Sequence, residues 1–323
     1  MPTNTPTQRA LTPNASAISG ASTAVALAAI VIGAGYGPIT PASSQLLQKT
    51  APPSRRALTF SIKQTGVPAG AALTGAILPA LVLAVGWRGT FIAVALLGVA
   101  IVLGAQPVRA NLDADRHGRG RFTFAGIFAP LAVLRQSRAL AELSLVSFAY
   151  SATQVCLTSF LVVHLTEALQ WSLVAAGLAL TAATVGGVVG RILWGYVADR
   201  LIPPRRVLAL LGMLAGACSL AMAATAPAWP GFAVIVLAAV FGGTAIGWNG
   251  VQLSEVARLA PAGSAGKVTG AAGFVTFAGV VVGPSSFALI ATLTGSYRAG
   301  FAACAALSVA GAFALLRSPE RIQ

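Results

Sequence analysis

Acidic residues are almost missing from this chain: its 323 residues hold 7 Asp and Glu against 21 Lys and Arg. Charged residues make up 9% of it, whereas an ordinary soluble domain has about 25%. A soluble protein of this length needs a charged shell, and these charges are too few to build one. Histidine is equally scarce, with only His117 and His164, and the three cysteines, Cys156, Cys218 and Cys304, stand singly in apolar runs. No standard ligand spacing joins these side chains, so neither a metal site nor a disulfide framework is expected. Gly266-Lys267 is followed by Val268 and lacks the earlier glycine of a phosphate-binding loop. No nucleophile stands in a motif with a histidine and an acid. These absences argue against an enzyme and against a bound cofactor.

What the chain does have is apolar length. It is 56% hydrophobic with a mean hydropathy of +0.82, which implies an all-α, polytopic membrane helical bundle. Roughly 20 apolar residues make one span. On that rule nine spans are expected, near 22–46, 62–84, 89–106, 140–165, 172–197, 206–226, 231–253, 268–292 and 297–316. The net charge of +14 would suggest nucleic acid in a soluble protein. In a membrane protein it marks cytoplasmic loops facing the lipid bilayer, so no nucleic-acid partner is expected.

The basic residues orient the chain. One set of loops holds Lys49, Arg55 and Arg56; Arg109, Arg116, Arg119, Arg121, Arg135 and Arg138; Arg200, Arg205 and Arg206; Arg258 and Lys267; and Arg317 and Arg321. The alternating set holds only Arg88 and Arg298, plus Arg9 on the tail. The first set is read as cytoplasmic, which puts the C-terminus inside and the N-terminus outside. The expected organisation is a disordered polar tail at 1–20, three spans in 21–106, a cytoplasmic central loop at 107–139, six spans in 140–317 and a cytoplasmic tail at 318–323.

An internal repeat runs through this organisation. Trp87-Arg88-Gly89-Thr90-Phe91 answers Tyr297-Arg298-Ala299-Gly300-Phe301, 210 residues on, and Ala51-Pro52 answers Ala260-Pro261, 209 residues on. The repeat pairs spans 22–106 with 231–316 and leaves 140–226 without partners on the chain. The expectation is a twelve-span plan of two six-span halves whose first three spans are lacking, with an in-frame three-span segment upstream of Met1.

The stretch Gly195-Tyr196-Val197-Ala198-Asp199-Arg200, followed by Arg205-Arg206, resembles the G-x-x-x-D-[RK]-x-G-[RK]-[RK] loop of the major facilitator superfamily. Leu201-Ile202-Pro203-Pro204 stands where that pattern has x-Gly, so two residues are added and the tight glycine is lost. The resemblance extends over residues 22–316, and Gly66–Pro79 and Gly270–Pro284 look like the fifth and eleventh helices of the family. It implies secondary active transport of a small solute by alternating access, with a coupling ion, in a bacterial inner membrane. It also implies that Gly195, Asp199, Arg200, Arg205 and Arg206 form a latch between the halves. Small residues at Gly66, Gly70, Gly186, Gly190, Gly279 and Gly283, with Pro284, are expected to let helices pack closely.

Polar side chains inside spans usually face a bundle interior. With the family resemblance, Tyr150, Gln154, Trp248, Asn249, Gln252 and Tyr36 are the expected cavity residues, and Gln45 is a further candidate. Arg191 and Lys63 are read as snorkelling near cytoplasmic ends and His164 as interfacial, so no deep arginine is expected. The alternative to a working transporter is a truncated, non-transporting remnant or partner subunit.

Overall fold

The computed structural model describes residues 15–112, 131–132, 134 and 137–317. Among the described residues, ten long α-helices follow one another: α1 (Ala15–Tyr36), α2 (Ile39–Thr50), α3 (Arg56–Leu112), α4 (Arg138–Ala168), α5 (Leu173–Arg200), α6 (Pro204–Ala223), α7 (Gly231–Ala245), α8 (Asn249–Leu259), α9 (Ala265–Thr294) and α10 (Tyr297–Arg317). A chain this apolar must satisfy its backbone within each segment when water is absent, and helices do so. Among the described residues, eight helical stretches are long and apolar enough to cross a membrane. The expected span 62–84 is the helical first arm of α3, several of whose side chains lie outside the described set. Most of the expected central loop, including Arg116, Arg119 and Arg121, also lies outside it, as does the tail 318–323.

Two boundaries and two spans differ from expectation. Helix α1 begins at Ala15, inside the expected disordered tail, because after Pro13 the sequence turns Ala-rich and nothing stops a helix. Helix α3 runs on to Leu112. Two expected single spans are each broken in the middle, between α1 and α2 and between α7 and α8. The first break falls at Gly37-Pro38, where proline removes a donor, and the second in Ile246-Gly247-Trp248.

The repeat is visible in the backbone. Ile39 opens α2 and Asn249 opens α8, 210 residues apart; Arg56 opens α3 and Ala265 opens α9, 209 apart. Gly86 (φ 71°) breaks α3, and Gly295 (φ 63°) separates α9 from α10 at the equivalent place. Only glycine takes that left-handed turn without a steric penalty.

Helices α4–α10 form the packed second half. Its glycines seat backbone on backbone: a β-carbon on Gly186 or Gly190 would strike the Ala239 or Gly243 carbonyl of α7. One on Gly279 would strike the Phe148 carbonyl of α4, and one on Gly283 would stand 2.7 Å from Ala152 Cα. Gly66 and Gly70 do not pack as expected, since a β-carbon on either meets nothing within 4 Å. The reason is positional. Gly70 is the repeat partner of Gly279, but no described helix stands beside α3 where α4 stands beside α9. Every residue from Phe91 to Pro107 in the second arm of α3 is exposed, as suits a surface bathed in lipid.

The hairpin between α5 and α6 tolerates its two extra residues. The Leu201 and Ile202 N–H groups both return to the Val197 carbonyl, at 2.9 and 3.0 Å. Pro204 then opens α6, where a missing N–H costs nothing.

Candidate functional site: a polar cavity between the two halves

A cavity of about 320 Å³ lies where the two broken helices meet. Tyr36 and Thr40 flank the first break, Trp248 lies in the second with Asn249 and Gln252 after it, and α3, α4, α5 and α9 add Gln64, Gln154, Arg191 and Phe277. Tyr36, Gln154, Trp248, Asn249 and Gln252, all expected from the sequence, thus share one wall space. Trp248 is 1% exposed, and its indole Nε1 donates to Gln154 Oε1 at 3.1 Å. Gln64 Nε2 donates to Asn249 Oδ1, which ties α3 to α8. The Tyr36 ring meets Phe277 edge to face at 6.4 Å.

Tyr150 does not join them. Its hydroxyl donates to the Leu208 carbonyl at 2.8 Å, in space left open by Gly212. Its ring lies edge-on to Trp248 at 5.9 Å, so it supports the cavity wall from behind. The four-residue spacing from Gln154 fixed a common helix face but not which neighbour each side chain meets. Gln45 also lies elsewhere, at the helix ends described below. His164 is buried, not interfacial, with Nε2 3.1 Å from Thr225 Oγ1.

Arg191 is the residue that sequence reasoning missed. It is 3% exposed; its Nε donates to the Ile246 carbonyl at 3.1 Å and its Nη1 to the Gln64 carbonyl. The helix break creates the first acceptor, because α7 stops and leaves Ile246 without a continuing turn. Arg191 stands nine residues before Arg200, about 14 Å along a helix. That count is a signal in the sequence that it lies deeper than a snorkelling end residue.

At the end of the molecule that carries Arg200, here the basic end, the halves are joined by helix caps. Asp199 accepts the Ala57 N–H at 2.9 Å and the Leu58 N–H at 2.8 Å, in the first turn of α3. Gln45 Oε1 accepts the Gly266 N–H at 2.8 Å, in the first turn of α9. Gln48 Nε2 donates to the Ala257 carbonyl at 2.7 Å. Both capped termini present unpaired N–H groups and the positive end of a helix dipole. Gly195 permits the approach, since a β-carbon there would stand 2.6 Å from Ser61 Oγ and 3.0 Å from Leu58 Cα. Arg205 pairs with Glu142 at 2.7 Å, not with Asp199; Glu142 also holds Arg138 at 2.9 Å. Arg200 and Arg206 are exposed.

A helical membrane bundle with broken helices around a polar cavity, and capped helix ends at one side of it, has the architecture of a transmembrane transporter. The Major Facilitator Superfamily profile matches residues 10–284 and, a second time, 143–322; the chain belongs to that superfamily. It is 25% identical over 334 residues to a probable L-galactonate transporter of Escherichia coli (strain K12), covering 91% of this chain and 69% of that protein. It is 26% identical over 267 residues to monocarboxylate transporter 13 of Rattus norvegicus, covering 82% of this chain and 60% of the relative. The chain thus spans under two thirds of the length of the rat relative. Among solved structures, it is similar to the E. coli fucose:proton symporter, at 19% identity and a TM-score of 0.66, over 87% of this chain and 73% of that one.

Proposed function

We propose that the chain moves a small polar organic solute across a bacterial inner membrane by alternating access. The observation that carries this reading is the cavity itself, set between two repeats and closed at the basic end by side chains of each half capping a helix of the other. The basic end is the cytoplasmic side, by the excess of Lys and Arg there, with the C-terminus inside. The arrangement is then outward-facing. Asp199, Gly195 and Gln45 hold it closed toward the cytoplasm, and Arg205 braces Glu142 within the second half. Opening to the cytoplasm requires the Asp199 and Gln45 caps to part while bonds form between the outer ends. Relatives named for L-galactonate and monocarboxylates, and a structural neighbour named a fucose:proton symporter, support a small organic solute, and the last supports protons as the coupling ion.

The exposed second arm of α3 and the unpacked Gly70 favour a second reading, in which this chain is a partner subunit or a remnant that does not transport alone. Purified chain in liposomes separates the two. Uptake of labelled gluconate, lactate or fucose, driven by an imposed proton gradient, is the expected result of the first. A tight vesicle with no flux of any of them supports the second.

A further inference from the structure

Arg191 brings a full positive charge into the cavity wall, and no carboxylate among the described lining residues cancels it. The groups it bonds, the Ile246 and Gln64 carbonyls, are neutral dipoles that fix its position and leave the charge in place. Of the described carboxylates, Asp199 caps α3, Glu142 pairs with Arg138 and Arg205, and Glu255 pairs with Arg258 at 2.7 Å. Glu167 stands next to Ala168, the last residue of α4. None of the four lines the cavity. The neighbouring cation, Lys63, reinforces the sign, and its ammonium is held by Gln64 Oε1 at 2.7 Å.

A second observation points the same way. Gln252 lines the cavity, is 1% exposed, and its amide Nε2 is a donor with no partner. A buried donor left unpaired and a buried charge left uncompensated are each costly. A ligand that supplies acceptor oxygens and one negative charge relieves both. A cationic solute would add to the uncompensated charge, and a neutral sugar would meet the donors but not the charge. Lys63 does not line the cavity, so the wall itself presents one unopposed guanidinium, which matches a carboxylate, whose two oxygens fit its planar fork, better than a dianionic phosphate. The volume of about 320 Å³ equals about ten water molecules, enough for a small hydroxy acid.

Resting on the transporter reading of this cavity, we propose that its solute is a small organic carboxylate, with the carboxylate group on Arg191 and a further oxygen accepting from Gln252 Nε2. Binding of that anion neutralises the wall, so the cavity can close around the pair at lower electrostatic cost than around Arg191 alone.

The test uses the purified full chain and acid–neutral pairs of matched size: gluconate with glucitol, lactate with 1,2-propanediol, benzoate with benzyl alcohol, and glycerol 3-phosphate as a dianion. Thermal unfolding is followed against ligand concentration. The expected result is that at least one acid raises the midpoint while its neutral partner does not. Arg191→Gln then weakens Kd for that acid by about tenfold or more. Because Arg191→Gln removes a buried anchor and risks misfolding, Gln252→Leu is measured beside it, and this variant weakens the same acid with Arg191 intact. Equal protection by the neutral partner, tighter binding of glycerol 3-phosphate, no protection by any acid, or an acid Kd unchanged in both variants would overturn the proposal. Counterflow of the bound acid in liposomes tests the transporter reading separately. Binding without flux ends that reading and leaves the anion site standing. Flux of glucitol that gluconate does not inhibit ends the anion site and leaves the transporter.

Discussion

Ala57 and Gly266 hold the same place in the two repeats, and each gives its backbone N–H to a side chain of the opposite half. Ala57 donates to Asp199 Oδ1 at 2.9 Å and Gly266 to Gln45 Oε1 at 2.8 Å. One cap is a carboxylate that holds two N–H groups, and the other a neutral amide that holds one. Charged acceptors bind more strongly at a helix N-terminus, so the seam made by the α5–α6 hairpin is the tighter of the two.

Replacing Asp199 by Asn removes the charge and leaves one good acceptor for two donors. Hydrogen bonds to a charged group contribute about 1.5–3 kcal/mol each. The ratio of molecules closed to molecules open at the basic end is therefore expected to fall by about tenfold or more. Gly273 lines the cavity, and a β-carbon there meets nothing within 4 Å, so Gly273→Cys offers a thiol for reading this. Labelling by a membrane-impermeant maleimide from the outer side should slow in the Asp199→Asn background. Unchanged labelling together with normal transport would remove the latch from the account.

Gln45→Leu breaks the neutral cap and the Gln45 Nε2 bond to the Gly263 carbonyl at 3.2 Å. Neutral bonds contribute about 1 kcal/mol each, so the same labelling experiment should show a smaller shift than Asp199→Asn. A larger effect from Gln45→Leu would reverse the ranking of the two seams.

Gly70→Ala and Gly279→Ala test the inequality of the halves directly. Gly70 faces open space, so alanine there should leave the unfolding midpoint unchanged or raise it, since alanine is favoured over glycine in a helix by about 1 kcal/mol. At Gly279 the new methyl meets the Phe148 carbonyl, which cannot swing aside, and overpacking of this kind costs about 1–3 kcal/mol. Equal responses at the two sites would mean that α3 and α9 face like surroundings.

Tyr150→Phe removes one buried hydrogen bond, to the Leu208 carbonyl. Stability should fall by about 0.5–1.5 kcal/mol, while the affinity for any solute that binds in the cavity stays within about twofold. A solute Kd that moves with this variant would return Tyr150 to the cavity wall.

The bundle and its polar wall were legible because both follow from composition: spans must be apolar, and the few polar side chains within them must face inward. Tyr36, Gln154, Trp248, Asn249 and Gln252 were found by that rule together with the family resemblance, which implies the helices that line the cavity. Tyr150 obeys the same rule and still lies outside the cavity, because its partner, Leu208, is 58 residues away, and spacing along one helix carries no information about the next. Arg191 was misread for a related reason. Its acceptors exist only because α7 stops at Ala245 and α3 passes beside it, and neither event is local to α5. The role of Asp199 was suggested by the family loop, but its donors lie 141 and 142 residues earlier, where the sequence gives no sign of them. The glycines divided by neighbourhood: Gly279 and Gly70 read alike in sequence, and only one has a helix to meet.

The backbone contacts of Gly186 and Gly190 on α7 have a mechanical meaning. Surfaces without side chains have no rotamers to exchange, so α5 cannot roll on α7 without leaving it, and the pair behaves as one stiff lever. Helix α5 has 28 residues, a length of about 42 Å. A tilt of about 5° pivoting at the Asp199 end would displace the far end of α5 by about 4 Å, so under the proposed alternating access the parting of a few short bonds at one mouth would be geared into a solute-sized movement at the other.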